Sequence, residues 1–336
     1  MKRRILGGTG MSVSEYTLGA MMFGAFGNSD HDESVRMIHT ALDAGINLID
    51  TADIYSDGES ERIVGKALKG RRDDVVLATK FGWPAEPEAG GSRRWIIRRA
   101  EESLRRLDTD HIDLYQMHRP DPDTDVDETL SALSDLVRAG KVRAIGSSTF
   151  PAEAIVEAQW VAERRGHQRF RAEQSPYSIM TRGIETSVLP TARRYGMGVL
   201  TWSPLNGGWL SGRADPTAAS GSRATAGAPQ FDLTIPENQV KLEAAGKLSA
   251  LAAEAGIELP HLATAFVLAH PAVTSVIIGP RTPEQLAGLL AGAGVELSED
   301  VLDRVDEIVP PGRNLRQEDV YTTSPSLVDK RLRRIS

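Results

Sequence analysis

INLIDTADIYSDGESERIVGKALKGRRDDVVLATK, residues 46–80, carries the pattern from which the architecture follows. The segment opens on a short apolar run ending in Asp50. It crosses a polar turn, runs through an amphipathic stretch at 60–69 that stops at Gly70, and closes on a second apolar run ending in Lys80. The apolar runs are continuous rather than alternating, as expected of strands covered on both faces. The connection between them is long enough for a helix, which is how parallel strands are joined. The unit therefore reads strand–helix–strand.

The same unit recurs outward in both directions. Strands are predicted at 16–22, 46–50, 75–80, 112–118, 142–147, 170–175, 198–202 and 275–278. Helices are predicted at 33–44, 60–69, 93–107, 126–139, 151–165, 184–195, 237–255 and 283–290. Gly45, Gly70, Gly140, Gly166 and Gly196 each follow a helix end, where a left-handed residue is favoured. Eight of each leaves a doubly wound sheet or a closed barrel. A dinucleotide-binding sheet would carry GxGxxG after an early strand. The only early glycine cluster, GGTG at 7–10, has the wrong spacing and reads as the turn of a hairpin. The expected fold is thus an α/β, (β/α)8 TIM barrel with an N-terminal β-hairpin and extra loops or helices at its C-terminal end, with residues 1–336 forming a single domain. Two stretches break the rhythm. Residues 211–230 are rich in Gly, Ala, Ser and Pro and read as a lid or a disordered loop. Residues 310–336 read as a tail, flexible or lining the pocket.

Composition narrows the function. There are 39 basic and 46 acidic residues, a net charge of −7, and no cysteine. Disulfides, thiolate zinc sites and cysteine nucleophiles are excluded, and the acidic balance argues against nucleic acid. The basic start, MKRRILGGTG, is followed by no apolar segment of signal-peptide type, and no apolar run is long enough to span a bilayer. No histidine pair has metal-ligand spacing, so no metal is expected. A cytoplasmic protein acting on a small molecule is expected, with no nucleic-acid or membrane partner and an open oligomeric state.

In such a barrel the active site lies where the strands end. Those ends are Asp50, Lys80, His118, Ser148 with Thr149, Gln174, and Trp202 with Ser203. Taken alone, Lys80 reads as a strand-end lysine reaching solvent, Asp50 as a cap, His118 as structural and Tyr55 as packing. Together on consecutive strand ends they make an acid: Tyr55 as proton donor, Lys80 lowering its pKa, Asp50 holding Lys80, His118 orienting or polarising. Two glycine loops follow the last two strands. One is SPLNGGWLSGR at 203–213, with Gly207 and Arg213; the other is GPRTPEQL at 279–286, with Gly279 and Arg281. Both suit phosphate, through close backbone approach and a cation. Met21, Met22 and Phe23 at the end of the first strand, with Trp83 and Arg119, are candidate walls of the same mouth.

These residues spell a known pattern. The segments AGINLIDTADIYSDGESERIVGKAL, LATKFG, DLYQMHRPD, AIGSSTF, EQSPYS, TWSPLNGGWLSGR and IIGPRTPEQL, in this order, resemble the aldo-keto reductases. More narrowly, they resemble the branch that includes the voltage-gated potassium channel β subunits and many bacterial reductases. The resemblance implies a barrel binding NADP(H) in extended form, with catalytic Asp50, Tyr55, Lys80 and His118. It implies cofactor contacts at Met21 and Asp50; at Ser148, Thr149 and Gln174 for the carboxamide; and at Trp202 for the ring. It further implies Ser203, Pro204, Leu205, Gly207, Arg213 and Arg223 for the pyrophosphate, and Gly279, Arg281 and Gln285 for the adenosine phosphate. Phe23, Trp83 and Arg119 fall at the substrate pocket. Thr149 stands where the family often has Asn, and Gly288 and Leu289 where Glu and Asn are common. The implied activity is reversible reduction of aldehydes and ketones by NADPH. The alternative is an NADP(H)-binding sensor subunit whose turnover is incidental.

Overall fold

The continuous apolar runs become the staves of a closed parallel barrel. In the computed structural model, which describes residues 1–84, 90–212, 229–320 and 330–332, an antiparallel hairpin comes first: β1 (Arg3–Ile5) and β2 (Ser12–Ser14), with Arg3 opposite Ser14. The barrel strands follow as β3 (Tyr16–Gly19), β4 (Leu48–Asp50), β5 (Val76–Phe81), β6 (Ile112–Met117), β7 (Val142–Ser148), β8 (Phe170–Pro176), β9 (Gly198–Trp202) and β10 (Val273–Ile278). They close in the order β10-β3-β4-β5-β6-β7-β8-β9. The (β/α)8 barrel and its N-terminal hairpin are as the sequence indicates.

The helices wrap the outside: α1 (His31–Asp43), α2 (Glu59–Ala67), α3 (Arg93–Leu107), α4 (Val126–Arg138), α5 (Ala152–Arg165), α6 (Val188–Arg194), α7 (Pro236–Glu254), α8 (Leu259–Ala269), α9 (Pro283–Ala291) and α10 (Glu299–Ile308). Asp30, Ser92, Asp125, Thr282 and Ser298 cap α1, α3, α4, α9 and α10 through their side-chain oxygens. Most bounds fall within two residues of expectation, and three differences are larger. The first barrel strand ends at Gly19, not residue 22. The helix expected at 184–195 is a short 3-10 turn, Gly183–Thr186, followed by α6, which holds Pro190 in its first turn where no backbone N–H is needed. Helices α8 and α10 are additional. No single helix among the described residues is long and apolar enough to cross a membrane.

The barrel interior is layered by the two-residue repeat of each strand. The hairpin plugs the bottom with Leu6 and Val13; above them lie Leu48, Ala78, Leu114, Ala144, Ala172, Leu200 and Ile277. Gly7 passes under β8 and β9 so closely that a Cβ would stand 2.4 Å from the Arg171 carbonyl oxygen, so glycine is required. Two residues further along β4, β5, β6 and β8, the same interior face carries Asp50, Lys80, Gln116 and Gln174. The apolar layers are the floor on which the polar layer stands. Residues 310–320 pack at the upper end, where Leu315 N donates to Met180 O (2.9 Å) and Asp319 pairs with buried Lys241 of α7 (2.7 Å).

One acid is buried on the opposite, helix-facing side of the sheet. Glu173 is fully buried; it accepts from Ser147 Oγ (2.5 Å), Ser175 Oγ (2.7 Å) and Phe150 N (3.2 Å), and so pins the β7–α5 loop. Burial pushes its carboxyl up to about 7, against those three donors. The folded chain then holds a proton there that the unfolded chain releases near the ordinary value of 4.5. Stability therefore falls as pH rises from about 4.5 to about 7, by up to about 3 kcal/mol from this group. Asp53, pushed up to about 6 by burial despite Arg99, adds in the same direction. Glu173→Gln is expected to flatten the wild-type decline in urea midpoint between about pH 5 and about pH 8; an unchanged slope would remove Glu173 as its source.

Candidate active site

Strand register assembles the centre. Asp50 closes β4 opposite Ala78, and Lys80, two residues on, lies opposite Gln116 of β6. Lys80 is fully buried. Its Nζ donates to Asp50 Oδ1 (2.5 Å), Thr51 O (2.9 Å) and Tyr55 Oη (3.4 Å), engaging all three protons of the ammonium. The other carboxylate oxygen, Asp50 Oδ2, accepts from Gln174 Nε2 (2.8 Å) and Gln116 Nε2 (3.2 Å). Burial alone would push Lys80 down, but Asp50 and Tyr55 outweigh it and hold the ammonium above its ordinary value.

Tyr55 lies in the β4–α2 loop, partly exposed, with the Lys80 ammonium 5.1 Å from its ring centroid. The loop is steadied by Asp53, which pairs with Arg99 of α3 (2.7 Å). His118 directly follows β6; its ring meets Tyr55 edge-on at 5.9 Å and Trp83 at 4.9 Å. The four expected residues thus gather at one mouth. Their electrostatics differ from the expectation in one respect. Burial outweighs the downward pull of Lys80 and Arg119, and the Tyr55 phenol is raised, not lowered. His118 is held well below its usual value by burial, with Lys80 and Arg119 adding to it, so it is a neutral imidazole. Its Nδ1 is buried with no partner among the described residues.

The residues expected at a nicotinamide sit around this centre. Ser148 and Gln174 are paired across β7 and β8. Ser148 Oγ and Gln174 Oε1 hydrogen-bond to no described residue, whereas the Gln174 amide is tied to Asp50. A free hydroxyl beside a free amide oxygen matches the acceptor and donor of a carboxamide. Thr149 is engaged elsewhere: its hydroxyl takes a bond from Arg119 Nη1 (2.8 Å) and gives one to Ser148 O (2.6 Å). Its φ of 56° is costly for a β-branched residue. Trp202 ends β9, half-buried, and its neighbour Ser203 turns the chain with φ 59°. Ser203, Pro204 and Leu205 lead into a tight turn through Gly207 (φ 69°), whose N–H donates to Ser203 Oγ (3.2 Å). Gly279 leaves open space where a side chain would stand. Beyond it Gln285 Oε1 accepts from Arg281 N (2.9 Å), shaping the turn into α9. These donors, glycines and the aromatic fit an extended dinucleotide. Arg213 and Arg223 lie outside the described residues. Met21 sits in the turn after β3, half-buried; Phe23 is fully buried in the core, and the exposed aromatic of that loop is Phe26. Trp83 and Arg119 stand together, the guanidinium 4.6 Å over the ring centroid.

Two supporting residues escaped the sequence reading. Gln116 is in phase with Lys80 and His118 on alternate positions, a signal that was present. Asn206, which braces the post-β9 turn through Thr181 Oγ1 (2.9 Å), carries no such signal.

The chain belongs to the aldo/keto reductase family, whose model matches residues 16–310. It is accordingly an oxidoreductase of a family that uses nicotinamide cofactors. It is 43% identical over 327 residues to an uncharacterized oxidoreductase, YrpG, of Bacillus subtilis, covering 93% of this chain and 97% of that one. It is 37% identical to the aldo-keto reductase YhdN of the same organism, covering 88% and 90%. A putative voltage-gated potassium channel subunit beta of Schizosaccharomyces pombe is 32% identical, covering 91% and 92%.

The ion pair yields a stability test. Asp50→Asn keeps the shape but leaves a buried ammonium without its counter-charge. A loss of about 3–5 kcal/mol is expected in urea denaturation, with much of it recovered in Asp50→Asn/Lys80→Met. A double variant no more stable than the single would show that the pair is not what the layer rests on.

Proposed function

We propose that this chain is an NADP(H)-dependent reductase of aldehyde and ketone carbonyls, and the observation that carries the reading is the chain of contacts Asp50–Lys80–Tyr55 beside a neutral His118. Reduced nicotinamide, when bound, supplies a hydride. Trp202 offers a face for its ring, Ser148 and Gln174 hold its carboxamide, and Arg281 answers the extra phosphate that distinguishes NADPH from NADH. The remaining work is done by the chain. Tyr55 and His118 donate hydrogen bonds to the substrate oxygen, which fixes the carbonyl and polarises it. As negative charge grows on that oxygen, Tyr55 Oη releases its proton to it. The phenolate left behind is met by the Lys80 ammonium, which Asp50 keeps charged and in place. In the reverse direction the same phenolate accepts the alcohol proton.

Purified protein with NADPH and 4-nitrobenzaldehyde tests this directly: steady loss of NADPH absorbance is expected. A second reading comes from the likeness to putative channel subunits; tight NADPH binding with no turnover would favour that sensor role. Tyr55→Phe is expected to lower kcat by ~10²-fold or more while NADPH affinity, followed by cofactor fluorescence, stays within about threefold; near-normal turnover would remove Tyr55 as the donor. Arg281→Met is expected to weaken NADPH binding by roughly 10-fold or more and NADH binding little; equal losses for both would place the discrimination elsewhere.

A further inference from the structure

Arg119 is a half-buried cation that forms no ion pair with an acid among the described residues. Several other sheltered arginines hold carboxylates: Arg72 with Asp113 (2.7 Å), Arg99 with Asp53 (2.7 Å), Arg106 with Glu61 (2.6 Å) and Arg182 with Glu185 (2.9 Å). Arg4, away from the mouth, spends both terminal nitrogens on the carbonyls of Val273 (2.6 Å) and Leu268 (3.0 Å). Arg119 pairs with no carboxylate among the described residues, and its bonds go only to the His118 carbonyl (2.9 Å) and the Thr149 hydroxyl (2.8 Å), both from Nη1. Its Nε and Nη2 donate to no described residue. A desolvated guanidinium without a counter-charge is unfavourable, and burial pushes its pKa down from the ordinary value, although arginine stays charged.

The group is also held still. Two acceptors fix one terminal nitrogen, and the Trp83 ring lies against the guanidinium at 4.6 Å. The acceptor on one side is Thr149, a β-branched residue kept at φ 56°, so backbone strain sits where it positions the cation. The location is the mouth itself. Trp83 touches the His118 ring, His118 faces Tyr55, and the Arg119 charge reaches the Tyr55 phenol.

We propose that Arg119 recognises a carboxylate on the tail of the substrate, so that the pocket prefers aldehydes and ketones that are also acids; this rests on the reductase reading above. The unengaged edge of a guanidinium matches the two oxygens of a carboxylate. The other cation at the mouth, Lys80, is committed to Asp50, so a dianionic phosphate would have one charge unanswered.

A matched pair tests it: 4-carboxybenzaldehyde against its neutral methyl ester, methyl 4-formylbenzoate. The wild type is expected to favour the acid in kcat/KM by about 10-fold or more. Arg119→Met is expected to bring that ratio near one, and Arg119→Lys to leave it in between. Benzoate binding by calorimetry, with benzamide as the neutral control, reads the same site without turnover and should be lost in Arg119→Met. A wild-type ratio near one, a ratio unchanged in Arg119→Met, or benzoate binding no tighter than benzamide overturns the proposal. A stronger preference for glyceraldehyde 3-phosphate over glyceraldehyde than for the acid over its ester overturns the carboxylate assignment. If neither benzaldehyde is reduced, the reductase reading fails, and the benzoate titration decides this one alone.

Discussion

A fully buried ammonium is the constraint around which this barrel is organised. Lys80 has no exposed surface, and an uncompensated charge there would cost several kcal/mol. Its compensation draws on separate strands: Asp50 from β4, and behind Asp50 the amides of Gln116 on β6 and Gln174 on β8. No open sheet brings the interior faces of β4 and β8 together. Closure of the barrel places those amides over the carboxylate, and the satisfied carboxylate in turn lets the lysine stay charged in a dry interior. The fold and the chemistry therefore share one requirement, namely that the strands end in register.

The barrel was legible because its strands are covered on both faces and so read as unbroken apolar runs. Where the reading failed, a local reason is visible. β3 stops at Gly19 because the chain turns directly after it, Phe23 N donating back to Ala20 O (3.0 Å). At Gly19 itself the β10 backbone and Ile277 come so close that a Cβ would stand 2.7 Å from Ile277 Cγ2. Helix α8 was missed because LPHLATAFVLA is buried nearly all round and so lacks an amphipathic stripe. Helix α10 carries such a stripe, in Val301, Leu302, Val305 and Ile308. It lies past the eighth repeat, where the count of βα units offers no place for it.

The candidate site was legible to the level of which residues end strands, and no further. The family pattern pointed to Ser148, Thr149 and Gln174 together. The structure separates them: two keep an unengaged polar atom, while the third ties down Arg119. That separation depends on whether a residue after a strand end continues the pleat or turns left-handed, as Thr149 and Ser203 do. That departure is not written in residue type. The burial of Glu173 was equally hidden. Its charge argues for exposure, and only the hydroxyls of Ser147 and Ser175 with the Phe150 N–H make its position tenable.

The upward shift of Tyr55 clarifies what the cation does. A nearby ammonium is expected to acidify a phenol, yet here burial wins and the phenol keeps its proton more firmly than in water. For a proton donor this is the useful resting state, because an acid that is already ionised has nothing to give. The attraction between Lys80 and the tyrosyl oxygen is weak while that oxygen is neutral and becomes strong once it is charged, in surroundings of low dielectric. An interaction that grows only along the reaction lowers the barrier without stabilising the starting complex. In the proposed reaction, Lys80 and Asp50 therefore act on the departure of the proton rather than on the tyrosine at rest. Burial strengthens that late attraction by the same exclusion of water that raises the phenol at the start.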